Sequence, residues 1–182
     1  MFKPRGNRNI EGGGDNGTNN TGDHNHFGDN HFHHEKSLNR SYLYDFCLKF
    51  ANVENPPENY NTEFANDIND KMCHNEIDLY KDIFLDCDFY LGDVETILAD
   101  IPNRERILTR INFQYKKFKM QYKTDSKDEL CERVFDYLIT TVDNDPNAFS
   151  IMVEDRDLAI HSLMYHAFVK CKLLDPIPTK KL

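Results

Sequence analysis

Apolar residues recur at spacings of three and four from Leu38 onward and are nearly absent before it. Leu43, Phe46, Cys47 and Phe50 fall on one face of a first helix. Pro56-Pro57 then breaks it, because proline cannot donate into a helix and restricts the residue ahead of it. Phe64, Ile68 and Met72 predict a second helix, with Thr62 as its cap and Glu63 in its first turn. After a break near His74-Asn75, Ile77, Tyr80, Phe84 and Cys87 continue the stripe. Gly92-Asp93 reads as a helix end and a new cap ahead of Val94, Ile97, Leu98 and Ile101. Pro102 sits at or near the first turn of the next helix, which carries Ile107, Leu108, Ile111, Tyr115, Phe118 and Tyr122. Ser126 and Glu129 form a capping box before Leu130, Val134, Phe135, Leu138 and Ile139. The run Asp-Asn-Asp-Pro-Asn at 143–147 is a turn, and a last helix over about 151–174 is closed by Pro176 and Pro178. β-branched residues never alternate at period two over a useful length, so the pattern predicts an all-α domain of six or seven helices over residues 38–182.

Residues 1–37 are of another kind. They hold seven of the eight glycines and five of the eight histidines, with only Met1, Phe2, Ile10, Phe27 and Phe32 as apolar side chains. So little apolar surface cannot offset the entropy of ordering, which predicts a disordered arm. The recurring Gly-Asp pairs at Gly14, Gly22 and Gly28 leave open a run of tight turns instead. Gly12, Gly14 and Gly17 satisfy the spacing of a dinucleotide fingerprint, but neither a buried strand nor a helix flanks them, so it has no physical basis here. His24, His26, His31, His33 and His34 could attract Zn²⁺ or Ni²⁺. Asp23, Asp29 and Glu35 join that cluster, but a structural zinc site usually adds cysteine ligands and a supporting second layer of contacts, and the arm contains no cysteine, which points to weak, adventitious binding and to no resident cofactor.

Charge narrows the function classes. The chain carries a net −9, which argues against direct nucleic-acid binding through the phosphate backbone. The exception is a basic stripe, Arg104, Arg106, Arg110, Lys116, Lys117, Lys119 and Lys123. A single-strand surface would interleave aromatics there, whereas Tyr115, Phe118 and Tyr122 share the apolar side, so the stripe reads as solvated or as steering toward an acidic protein. No run approaches the ~20 apolar residues that span a bilayer, and no apolar segment follows Lys3 and Arg5, so neither membrane insertion nor secretion is expected. The cysteines are odd in number and scattered, and Cys47, Cys87, Cys131 and Cys171 lie in apolar runs, as buried thiols of a reducing cytoplasm would.

Chemistry is sparse in the helical text. The carboxylate groups Asp67/Asp70, Asp86/Asp88 and Glu154/Asp155/Asp157 lie where solvated helix surfaces or caps place them. His161 and His166 are five apart, as are His166 and Cys171, which rotates each pair away from a shared helix face. Phosphate loops, zinc-protease and di-iron patterns are missing, so no catalytic residue and no enzyme activity is expected.

Taken in order, five segments carry a resemblance: Arg40-Ser41-Tyr42-Leu43-Tyr44-Asp45-Phe46-Cys47, Asp67-Ile68-Asn69-Asp70-Lys71-Met72, Arg106-Ile107-Leu108-Thr109-Arg110-Ile111 followed by Tyr115, Val134-Phe135-Asp136-Tyr137-Leu138, and the closing His166-Ala167-Phe168-Val169-Lys170-Cys171-Lys172-Leu173-Leu174 with Pro176. Together, over residues 40–178, they resemble the C-terminal domain of bacterial ABC-three-component system proteins, relatives of Lamassu-type anti-phage systems. Such systems join an SMC- or Rad50-like ABC ATPase, a small middle component and a third protein whose effector precedes this domain. The resemblance implies a protein that tethers to the ATPase complex. The Gly/Asn/His-rich arm stands where the effector would be, which implies an adaptor rather than a killing enzyme. Two alternatives from other classes are a metal-binding protein built on the histidine arm and a regulator or antitoxin restraining a separate effector. The apolar last helix (Leu158, Ile160, Leu163, Met164, Phe168, Val169) either packs under its neighbours or supplies a surface for a partner or a second copy.

Overall fold

A computed structural model describes residues 40–58, 60 and 64–178. The histidine-rich arm therefore lies outside the described residues, as do the expected cap Thr62 and its neighbour Glu63. Seven α-helices and two short 3₁₀ turns make up the described residues, with no strand among them. The helices are α1 (Tyr42–Phe50), α2 (Asn66–Asn75), α3 (Leu79–Cys87), α4 (Leu91–Ala99), α5 (Glu105–Gln121), α6 (Lys127–Asp143) and α7 (Val153–Val169); the 3₁₀ turns are Asp88–Tyr90 and Ala148–Ser150.

Helix α7 is the axis of the fold and packs against α1, α3, α4, α5 and α6. Ala159, Ile160 and every residue from Ser162 to Phe168 are buried, so this helix has no solvent face along its second half. Around it Phe84 meets Tyr165 at 5.5 Å and Phe168 at 5.4 Å between ring centroids, inside the offset range that aromatic pairs favour. The apolar text of the last helix is thus spent on the domain's own core, and of the two uses expected for it the structure shows packing under neighbours.

Helix ends show where the sequence pattern misled. α2 begins only at Asn66, with Ala65 at its N-cap, so Phe64 precedes the helix rather than lying within it. The helix stops at Glu76, whose φ of 53° is left-handed, and this is the break expected near His74-Asn75. Gly92 is no helix end. The chain runs from α3 through the Asp88–Tyr90 turn into α4 with helical dihedrals at the α3 C-cap and on entry to α4, and Gly92 sits exposed in the first turn of α4. Pro102 lies in the turn just ahead of α5, near the helix start as expected. The capping box of α6 is as expected: Ser126 Oγ accepts from Glu129 N at 3.1 Å and Ser126 N donates to Glu129 Oε2 at 2.6 Å. α7 ends at Val169, five residues short of the expected limit. Cys171 (φ 55°) and Leu174 (φ 62°) turn the chain back, burying Leu173 and Leu174.

Distant residues close several of these ends. Asp128 of α6 accepts from the backbone N–H groups of Asp78 and Tyr80 at 3.0 and 2.9 Å, capping α3. Buried Lys71 of α2 donates to the Phe168 carbonyl at the end of α7 and lies 4.3 Å from that ring's centroid. Asn75 and Asp175 exchange two hydrogen bonds of 2.9 Å, Asn75 Nδ2 to the Asp175 carbonyl and Asp175 N to Asn75 Oδ1. The Asp175 carboxylate in turn accepts from Lys119 at 2.7 Å and from Lys127. Partial burial would raise its pKa, but those two lysines overcome that and hold it at about 2.

Candidate functional site

A cleft of about 500 Å³ opens where α4, the start of α5 and the end of α7 meet. Glu95, Arg104, Glu105, His166, Lys170 and Lys172 supply its polar wall. His166 lies at its base, only 4% exposed, with Nε2 3.8 Å from Glu95 Oε1, beyond hydrogen-bond reach. Burial lowers the imidazole pKa and the nearby Lys170 charge lowers it further, so the ring is neutral at pH 7. Lys170 Nζ sits 2.8 Å from the Glu95 carboxylate and depresses that pKa through the hydrogen bond. Chemically this wall is a neutral imidazole beside an already paired carboxylate. The polar lining residues are acid–base groups, with no hydroxyl or thiol among them.

The thiols divide differently from the sequence reading. Burial pushes Cys47 and Cys87 up to about 12, and it raises Cys131 as well, so these three are unreactive core residues. Cys171 was expected inside but is exposed, because α7 has ended and the left-handed turn carries its side chain outward. His161 stacks on Phe135 with centroids 4.1 Å apart and planes 7° apart, and burial lowers its pKa; it and His166 occupy separate environments. Of the carboxylates singled out, Asp88 accepts from the Tyr165 hydroxyl and Asp157 from Arg156 at 2.8 Å, both structural contacts, while Asp67, Asp70 and Asp86 are exposed.

The basic stripe is the largest charged feature. Between Arg104 and Lys123 seven Lys and Arg face a single acid, Glu105, a net +6 within a chain of −9. α5 packs its Ile107, Leu108, Ile111 and Tyr115 side against α6 and α7 and turns Arg106, Arg110, Lys116 and Lys117 to solvent. The aromatics expected to share the apolar face do so only in part. Tyr115 is buried and Phe118 half-buried, but Tyr122 is exposed with the Arg133 guanidinium 3.8 Å from its ring centroid. The residues that periodicity overlooked are Phe113, 66% exposed, and Met120, 68% exposed, both standing among the cations. Their signal was available: each falls outside the 107/108/111/115 spacing of the buried stripe.

His24, His26, His31, His33 and His34 lie outside the described residues. Among the described residues no group of three or more His, Cys, Asp or Glu side chains could hold a metal ion, and no helix is long and apolar enough to cross a membrane. No curated protein and no solved structure matches the chain. Residues 50–175, from the last residue of α1 to the aspartate pinned by Lys119 and Lys127, match C-terminal domain 10 of the ABC-three component (ABC-3C) systems, and the chain belongs to that family, CTD10.

Proposed function

We propose that this protein is a non-catalytic adaptor of a bacterial anti-phage ABC-three-component complex, acting in the cytoplasm by holding an SMC/Rad50-like ABC ATPase together with a small middle component. The observation that carries the reading is the family match over residues 50–175, which takes in every helix from α2 to α7. Membership in a three-component system implies partners within that system. A domain whose last helix is used up in its own core, and whose outward α5 face is charged, has its contacts to make through that surface rather than through the core. The experiment is co-expression of the full chain with the ATPase and middle component of its own system, followed by size-exclusion chromatography at micromolar concentration. Co-elution supports the reading. Separate elution at low and moderate salt, with each protein folded, overturns it.

A further inference from the structure

We propose that the outer face of α5 is a docking strip for one acidic amphipathic helix of a partner protein. The inference deepens the adaptor reading, on which it rests for the partner's origin. Phe113 and Met120 are seven residues apart, so they lie in line along the helix about 10 Å from one another. Lys116 and Lys117 lie between them, three and four residues from each, which makes a diamond with apolar ends and cationic sides. Lysine stems extend the apolar strip while their ammonium groups flank it.

Phe113 and Met120, each about two-thirds exposed on one helix face, present in-line apolar surface that a partner would remove from water. Arg106, Lys116, Lys117 and Lys123 make no ion pair within the described residues, so their charge is available to a partner. Arg110 fixes the edge of the strip, donating to Tyr137 Oη at 2.8 Å and to Thr141 Oγ1 at 3.3 Å on α6. What fits is a helix with apolar residues at heptad spacing and Glu or Asp at the flanking positions, the arrangement by which paired helices combine an apolar seam with charge matching. A nucleic-acid strand fits less well. The outer face carries one aromatic, Phe113, where a strand needs successive stacking platforms, and the rest of the chain is strongly acidic.

The test uses the full chain and a labelled synthetic 18-residue helical peptide with leucines seven apart flanked by glutamates, read by fluorescence anisotropy at low salt. Binding is expected, with at least about a tenfold loss in Lys116→Glu/Lys117→Glu and in Phe113→Ala/Met120→Ala. The same peptide with lysine in place of glutamate, and a 15-nucleotide oligo-dT, are expected not to bind. No binding of the acidic peptide at about 100 µM, or binding unchanged in both double variants, overturns the proposal. Oligo-dT binding that both variants abolish overturns it in favour of a nucleic-acid face. A monomer–dimer shift in light scattering abolished by the same variants, with no peptide bound, overturns it in favour of a second copy. The two readings fail separately: three-component co-elution unaffected by either variant removes the strip and leaves the adaptor, whereas peptide binding without co-elution removes the adaptor and leaves the strip.

Discussion

α5 and α7 are both 17 residues long and both rich in apolar side chains, yet they do opposite work. α7 is enclosed along its second half, and even its His166 and Ser162 are buried. α5 is buried along one side and displays Arg106, Arg110, Lys116 and Lys117, a phenylalanine and a methionine away from it. In sequence α7 looks like the better interface, because it has more apolar surface. In the fold that surface is already covered, while the helix that looked merely solvated keeps an outer face on which Phe113 and Met120 stand exposed. Apolar content marks what must be buried; the exceptions to its periodicity mark what remains to be covered.

The sharpest way to break the comparison is to charge the enclosed helix. Leu163→Asp in α7 places an unpaired carboxylate in a fully buried site and is expected to unfold the domain, a loss above about 4 kcal/mol. Circular dichroism would show it; a folded variant would mean that α7 is not enclosed. Next, Lys71→Met removes the donor closing the α7 C-terminus and is expected to cost about 2 kcal/mol in urea unfolding.

Asp175→Asn weakens the contact of the tail with α5 and is expected to cost about 1 kcal/mol at pH 7. The native carboxyl is held below its unfolded value, so its contribution is present above about pH 4 and is lost as pH falls toward about 2. The wild-type advantage over Asp175→Asn should shrink across that window, and a pH-independent difference would show that the lysines do not stabilise the ionised form. The smallest effect is expected on the open helix: Lys116→Glu/Lys117→Glu should shift stability by less than about 0.5 kcal/mol, a thermal melt close to wild type. A large loss there would mean that α5 has a structural partner on its outer side.

The helical class, the α6 capping box and the turn at 143–147 were legible because each is local: a periodicity, a four-residue box, a cluster of turn formers. Gly92 was misread because glycine weakens a helix by only about 1 kcal/mol, which tertiary packing of α4 outweighs. Beyond its chain neighbours and its own helix backbone, no heavy atom lies within 4 Å of where its Cβ would stand, so Gly92→Ala should raise stability by about 0.5–1 kcal/mol in the same urea titration. Cys171 and the early end of α7 were hidden by left-handed residues that carry no glycine signature. The candidate site was half legible. The cations stood out as a run, while Phe113 and Met120 were legible only as departures from the 107/108/111/115 spacing, and their exposure comes from the fold. His166 was noticed as an isolated residue, while its neighbours Glu95 and Arg104 come from segments 60 and more residues away that only the fold brings together.

The caps borrowed from afar have a kinetic consequence. Asp128 closes α3 from 48 residues away, Lys71 closes α7 from 97, and Asp145 accepts from Ser41 N at the start of α1 across 104. A nascent chain therefore cannot finish these helices one at a time, since the groups that terminate them arrive with different segments. Hydrogen exchange should find the amides at these helix ends opening together with the core rather than fraying independently, so that α1, α3 and α7 form a single cooperative unit.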